Sequence, residues 1–176
     1  YQTSASTTQL TTRDTTVRSD IQIRRARPAD LPDVRRLLAD MQLPLEGVPE
    51  NLLHFYVALD GNRTTGVAGL ELADGDAALL RSVAVDDQYR GLGLGTRLVD
   101  KAIADAQAEG CNALYLLTTT AVEYFAPRGF VIVKRSAVPG PLRETAEFRG
   151  ACPDSAPIMF LDLRKVAAGE VAKPMP

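Results

Sequence analysis

The chain has 176 residues, 45% of them apolar and 24% charged, and its 20 basic and 22 acidic side chains leave a net charge of −2. A chain of that length suits one domain that buries about two-thirds of its unfolded surface, which excludes a fibre, a disordered tail or a disulfide mini-protein. No basic run exceeds Arg24-Arg25 or Arg35-Arg36, so no stripe can displace counterions from a duplex, and nucleic acid is not an expected partner.

The first twenty residues carry seven Thr and three Ser and almost no large apolar side chain, so residues 1–20 are predicted to be a flexible arm. The chain opens without Met, which suggests a trimmed or engineered start. Residues 21–165 make the expected folded domain, and 166–176, rich in Ala, Gly and Pro, a second flexible tail. Ile21-Gln22-Ile23 alternates as a strand does. Pro28 and Asp30 then open a helix in which Leu31, Val34, Leu37, Leu38 and Met41 recur every three or four residues. Pro44 and Pro49 mark a loop before a short strand at 55–59. The turns Asp60-Gly61-Asn62 and Asp74-Gly75-Asp76 separate further strands at 64–72 and 77–85, which predicts three antiparallel strands in succession.

Residues 96–109 place Leu98, Val99, Ala102, Ile103 and Ala106 on one helical face and Arg97, Lys101, Asp105 and Glu109 on the other, with Gly110 as C-terminal cap. The apolar run 113–117 reads as a strand buried on both faces. Thr120, with Glu123 three residues on, predicts a capping box for a short helix reaching Pro127. Strands are expected at 131–133 and 158–163, and the connection 139–157 between them is long enough to lid a pocket. The sum is a mixed α+β sheet of about six to seven strands with four helices, in which 77–117 forms a right-handed parallel crossover.

The longest apolar runs fall far short of the roughly 20 residues of a membrane span, so no membrane partner is expected. Cys111, Cys152 and the single histidine, His54, cannot complete a Cys/His metal set at any usual spacing, so no metal is expected and both thiols are read as reduced, in a cytoplasmic protein.

The chemistry concentrates between the third of those strands and the long helix, in Val83-Ala84-Val85-Asp86-Asp87-Gln88-Tyr89-Arg90-Gly91-Leu92-Gly93-Leu94-Gly95-Thr96. Three glycines at alternate positions let successive backbone N–H groups face one concavity, and the positive end of the following helix adds to the attraction for an anion. The predicted ligand is a pyrophosphate. A P-loop would need Lys before Thr96, and a dinucleotide fingerprint would need Gly-x-Gly-x-x-Gly; neither pattern is present.

Gln88-x-x-Gly91-x-Gly93 and, two residues on, Arg90-x-x-Gly93-x-Gly95 resemble the acyl-coenzyme A pyrophosphate motif of the GNAT N-acetyltransferase superfamily, and the Gly129-Phe130 pair extends the likeness across about residues 21–163. The resemblance implies a GNAT acyl-CoA N-acyltransferase fold and acetyl-CoA as co-substrate. The backbone of Val83, Ala84 and Val85 would pair with the pantetheine arm, with Gln88, Arg90, Gly91, Leu92, Gly93, Leu94, Gly95 and Thr96 holding the pyrophosphate. It also implies direct attack of an amine on the acetyl thioester, a small-molecule amine acceptor, and a homodimer.

The sequence departs from the superfamily pattern where a Tyr commonly protonates the leaving thiolate: here that position is Phe125, and the usual Asn is Thr118. Tyr124 lies one residue early, about 100° around a helix. Tyr124, Thr118, its neighbour Thr119 and a water remain open as the acid, and Glu71, then Glu46, as the base. The strings Leu80-Arg81-Ser82-Val83-Ala84-Val85, Tyr115-Leu116-Leu117-Thr118-Thr119-Thr120-Ala121, Glu147-Phe148 and Cys152-Pro153-x-Ser155-Ala156 resemble the arsenic-resistance N-acetyltransferase branch. That branch implies detoxification of a small amine, such as an amino acid with an arsenic- or phosphorus-based acid group. Arg81, Arg135 and Arg143, with Ser82, are the candidate partners of such an oxyanion. A GNAT-fold sensor that binds acetyl-CoA without turnover is the alternative, motivated by the missing Tyr.

Overall fold

The computed structural model describes residues 20–170; residues 1–19 and 171–176, which hold nearly all of the first expected arm and the end of the second, lie outside the described residues. One sheet is formed by β1 (Gln22–Arg25), β2 (Phe55–Asp60), β3 (Arg63–Leu72), β4 (Ala77–Val85), β5 (Ala113–Leu117), β6 (Val131–Val133) and β7 (Ile158–Asp162), in the order β1-β2-β3-β4-β5-β7-β6. The two tight turns act as read: Asp60 faces Arg63 and Leu72 faces Ala78 across antiparallel pairs. β4 and β5 run parallel, joined by the long helix.

Among the described residues the helices are α1 (Leu31–Asp40), α2 (Val48–Asn51), α3 (Leu94–Ala108), α4 (Val122–Phe125), α5 (Gly140–Arg143) and α6 (Leu163–Ala167). More than the expected four are present because α2, α5 and α6 span one turn or little more, too short for a 3.6-residue period to register. α3 begins two residues before the predicted start, because Gly93 adopts φ +71° and serves as its N-cap. Thr120 does not cap α4. No side chain caps its N-terminus, which begins after Ala121; the Thr118 hydroxyl instead holds the turn ahead of the helix, accepting from the amides of Ala121 at 2.9 Å and Thr120 at 3.3 Å. Of the expected C-terminal tail, Val166 belongs to α6 and packs on the core.

Alternation along β4 sends Ala78 and Leu80 to the face covered by α3, where they meet Val99, Ala102, Leu114 and Leu116. Ala77 and Leu79 point the other way, to Tyr115, Leu142 and Phe148, which come from β5 and the 139–157 connection. A register shift then falls in the pairing of β4 with β3, and Ser82, at φ +57°, takes a conformation that non-glycine residues rarely adopt. The extra residue reverses the alternation. Beyond it Val83 packs on the α3 side and Ala84 joins the cluster built on α1, so Val83 and Val85 turn towards the space beside α3.

β4 and β5 pair only from Ala77 with Ala113 to Leu79 with Tyr115. Past those residues β5 continues with β7 to Leu117, while β4 stays with β3 to Val85. The two strands therefore separate, leaving the inner edge of β4 free and a cleft in the middle of the sheet.

Candidate active site

At the mouth of the cleft, the chain between β4 and α3 is braced from below. Asp86 accepts from the Gln88 amide at 3.0 Å and from Arg63 at 2.7 Å, and the Tyr89 hydroxyl donates to Asp60 at 2.6 Å. Those bonds lower the Asp86 carboxyl, the Gln88 amide contributing most, and push Tyr89 up. The loop then turns through Gly91 and Gly93, at φ +77° and +71°, conformations any L side chain resists. A Cβ on either would meet nothing within 4 Å. The open side is a cavity of about 280 Å³ bordered by Arg90, Gly91, Gly93, Leu94, Gly95 and Thr96. The first-turn amides of α3 face no intrahelical carbonyl and carry the positive end of the helix dipole, so this hollow suits an anion. Gln88, Arg90 and Leu92 extend their side chains into solvent, and Arg90 pairs with Asp87 at 3.0 Å.

Gly95 has a different reason to be glycine. A Cβ there would sit 3.2 Å from the Tyr124 hydroxyl. Tyr124 and Phe125 border the central cleft of about 730 Å³ with Val83, Ala84, Val85, Met41 and Leu43. Although one position early, Tyr124 reaches this cleft: its oxygen is buried between α4 and α3 without a hydrogen-bond partner. Arg128 fixes the ring by lying 3.7 Å above it, donating to the Tyr124 carbonyl at 2.7 Å and to the Thr96 hydroxyl. Phe125, at the position where the family pattern places Tyr, is buried edge-on against Phe130.

A smaller cavity of about 130 Å³ continues inward, lined by Arg81, Ser82, Thr118, Phe125, Glu147 and Cys152 among others. The Arg81 side chain has no solvent exposure. It donates to Glu71 Oε2 at 2.9 Å, to the Glu46 carbonyl at 2.5 Å and to Ser82 Oγ at 3.2 Å, and its Nε lies 3.6 Å from Glu147 Oε1. Glu71 therefore meets Arg81 from β3 without bordering any of the three cavities, and Glu46 contributes a carbonyl while its side chain stays exposed. Arg135 and Arg143 also lie off the cavities: Arg135 stacks on Phe148 and reaches Asp154 at 3.6 Å, and Arg143 is exposed on α5.

Two groups of this cavity were not assigned a role from sequence. Glu147, in a helical segment of the long connection (Glu147–Ala151), is 4% exposed. Burial pushes its carboxyl up to about 7, with Arg81 opposing and Glu71 reinforcing the rise. Cys152 has its thiol pushed up to about 11 by burial and by Glu147, so it stays protonated. The signal available was an acidic residue beside Phe148 in a connection too long for a hairpin.

Away from the cleft, His54, Asp105 and Glu109 bring donor atoms within 4.8 Å of one another. Asp105 pairs with Arg25, and His54 Nδ1 lies 3.5 Å from its other oxygen, so the cluster joins β1, the turn ahead of β2 and α3. No helix of the described residues is long and apolar enough to cross a membrane.

Residues 20–130 match the family described as Acetyltransferase (GNAT) family. The chain belongs to that family. The GNAT chain is 32% identical over 137 residues to an amino-acid acetyltransferase of Pseudomonas fluorescens, a match covering 70% of this chain and 32% of the relative. It thus spans about a third of the length of the curated amino-acid acetyltransferases it matches. An N-acetyltransferase of Chlorobaculum tepidum is 27% identical over 69% of this chain and 82% of its own. Among solved structures, N-acetylglutamate synthase from Neisseria gonorrhoeae, complexed with coenzyme A and N-acetyl-glutamate, superposes with a TM-score of 0.70 at 26% identity over 81% of this chain and 35% of its own. A Mycobacterium tuberculosis protein in complex with CoA superposes at 0.69 with 25% identity, over 80% of this chain and 98% of its own.

Proposed function

We propose that this GNAT chain transfers the acetyl group of acetyl-CoA to the amino group of a small molecule. The observation that carries the reading is the run of three adjoining cavities, from the anion hollow at the α3 N-terminus, through the opening between β4 and β5, to the buried pocket around Arg81. In this reading the amides between Arg90 and Thr96 hold the pyrophosphate, and the backbone of Val83, Ala84 and Val85 pairs with the pantetheine arm on the free edge of β4. Phe125 packs beside the arm. That large remote contact fixes the thioester for attack.

The amine attacks the thioester carbonyl, the carbonyl oxygen gains charge, and the C–S bond breaks with its electron pair on sulfur. Tyr124 is the proposed proton donor to the departing thiolate, with the Thr118 hydroxyl as the next candidate; both border the cleft or its inner extension. Ser82 and Arg81 line the acceptor end, with Glu71 and the Glu46 carbonyl holding Arg81 from behind. The finer acceptor assignment, an amino acid carrying an arsenic- or phosphorus-based acid group and acetylated for detoxification, is supported by the strings around Arg81, Thr118 and Cys152. Arg135 and Arg143 would have to reach the pocket from outside. Location in the cytoplasm and a homodimer remain part of the proposal, on the family likeness.

The test is thiol release from acetyl-CoA over L-glutamate, L-glutamine, phosphinate-bearing amino acids and simple alkylamines, with the N-acetylated product identified by mass spectrometry. Release with at least one acceptor supports the reading. Tight acetyl-CoA binding without release on any acceptor would instead favour a sensor, which the apolar Phe125 at the usual acid position also suits.

A further inference from the structure

The buried pocket holds one cation and two carboxylates: Arg81 faces Glu71 at 2.9 Å and Glu147 at 3.6 Å. With both acids ionised the group carries one excess negative charge, and burying an unpaired charge is costly. A proton on one of them, or a bound cation in its place, would relieve the excess.

Glu71 and Glu147 are not equivalent. Glu71 has a direct hydrogen bond to Arg81. Glu147 stands beyond hydrogen-bond distance from the guanidinium and borders the cavity, with Thr118, Ser82 and Cys152 around it. The charged and titratable groups facing it are Arg81 from β4, Glu71 from β3 and Cys152 from its own segment, with the Glu46 side chain farther out. Arg81, fully enclosed and bonded on three sides by protein, is a strut for the two acids and has little left to offer an acceptor's acid group.

We propose that Glu147 is the proton acceptor for the substrate amine, and that the acceptor enters this pocket as an ammonium whose charge replaces the proton on Glu147. This rests on the acetyltransferase reading above. One ammonium proton passes to the Glu147 carboxylate, and the freed lone pair forms the N–C bond to the thioester carbonyl. The C–S bond breaks towards sulfur, Tyr124 gives its proton to the thiolate and regains one as the second N–H proton leaves the nitrogen, and Glu147 releases its proton to solvent after the product leaves. Arg81 and Glu71 are positioning residues that hold the carboxylate at the cavity wall. A group titrating near neutral pH matches this work, because it is ionised often enough to accept a proton and basic enough to keep it.

The experiment compares wild type, Glu147→Gln and Glu147→Asp, each with saturating acetyl-CoA and the best acceptor from the same panel, across pH. The expected result is a rate lower by ~100-fold for Glu147→Gln. Wild type should show an acidic limb near pH 7, which should disappear in Glu147→Gln and return in part with Glu147→Asp. Acetyl-CoA affinity should stay within about twofold in all three, since Glu147 lies outside the cofactor cavities. A Glu147→Gln enzyme that keeps the wild-type rate or the wild-type acidic limb overturns the proposal while leaving the acetyltransferase reading intact. Wild type that releases no thiol with any acceptor overturns both.

Discussion

Replacing Tyr124 by Phe removes one oxygen that the fold buries without a partner. The ring keeps its contacts: Arg128 stacked 3.7 Å above it, and the edge of Phe125 at 4.9 Å between centroids. An unpaired buried hydroxyl costs about 1–3 kcal/mol, and the low end gives a conservative figure. In a domain of this size 1 kcal/mol moves the melting temperature by about 2–4 °C. Tyr124→Phe should therefore melt about 2–4 °C higher than wild type while losing ~100-fold in acetyl transfer, the scale of one proton-transfer group and about 2.7 kcal/mol of barrier. Circular dichroism melts and thiol release measure the two effects on the same sample. A variant that melts lower and keeps its rate would show the hydroxyl to be packing and would refute the role given to it.

Gly93→Asp places a carboxylate where the anion hollow is open and forces φ +71° on a side chain. Acetyl-CoA binding by calorimetry should be lost, while the circular dichroism spectrum stays close to wild type. Gly69→Ala tests the core: a Cβ there would fall within 2.6 Å of three carbons of the Phe55 ring, which is fully buried. Overpacking of that kind costs about 1–3 kcal/mol, so the melting temperature should drop by at least about 2 °C. Glu147 gives a pH signature. Its carboxyl is raised from 4.5 to about 7 in the folded chain, so its contribution to stability is full below 4.5 and is lost as pH rises through 7. Denaturant unfolding should show wild type losing up to about 3 kcal/mol across that window relative to Glu147→Gln, which has no such group.

The readable parts of the fold were those set by local chemistry. Asp60-Gly61-Asn62 and Asp74-Gly75-Asp76 can do little but turn, and the spacing of Leu98, Val99, Ala102 and Ala106 admits only a helix with one buried face. The open turn ahead of α3 was readable for the same reason, since Gly91 and Gly93 advertise backbone conformations closed to other residues. What escaped depends on contacts between distant segments. Nothing around Ser82 announces a serine at φ +57°, yet that residue reverses the alternation of β4 and turns Val83 and Val85 to the cleft. Arg81, Glu71 and Glu147 lie on three separate elements and look like surface charges until the sheet brings them together. That the Thr118 hydroxyl, and not that of Thr120, holds the turn into α4 likewise follows from where β5 ends, a boundary no propensity fixes to one residue.

The most direct test of the account is a crystal structure of the protein with coenzyme A. The pyrophosphate should lie against the amides between Arg90 and Thr96. The pantetheine arm should run along the free edge of β4 at Val83 and Val85, with the sulfur beside Tyr124 at the mouth of the pocket that holds Glu147. A pyrophosphate bound elsewhere, or a sulfur directed away from that pocket, would contradict it.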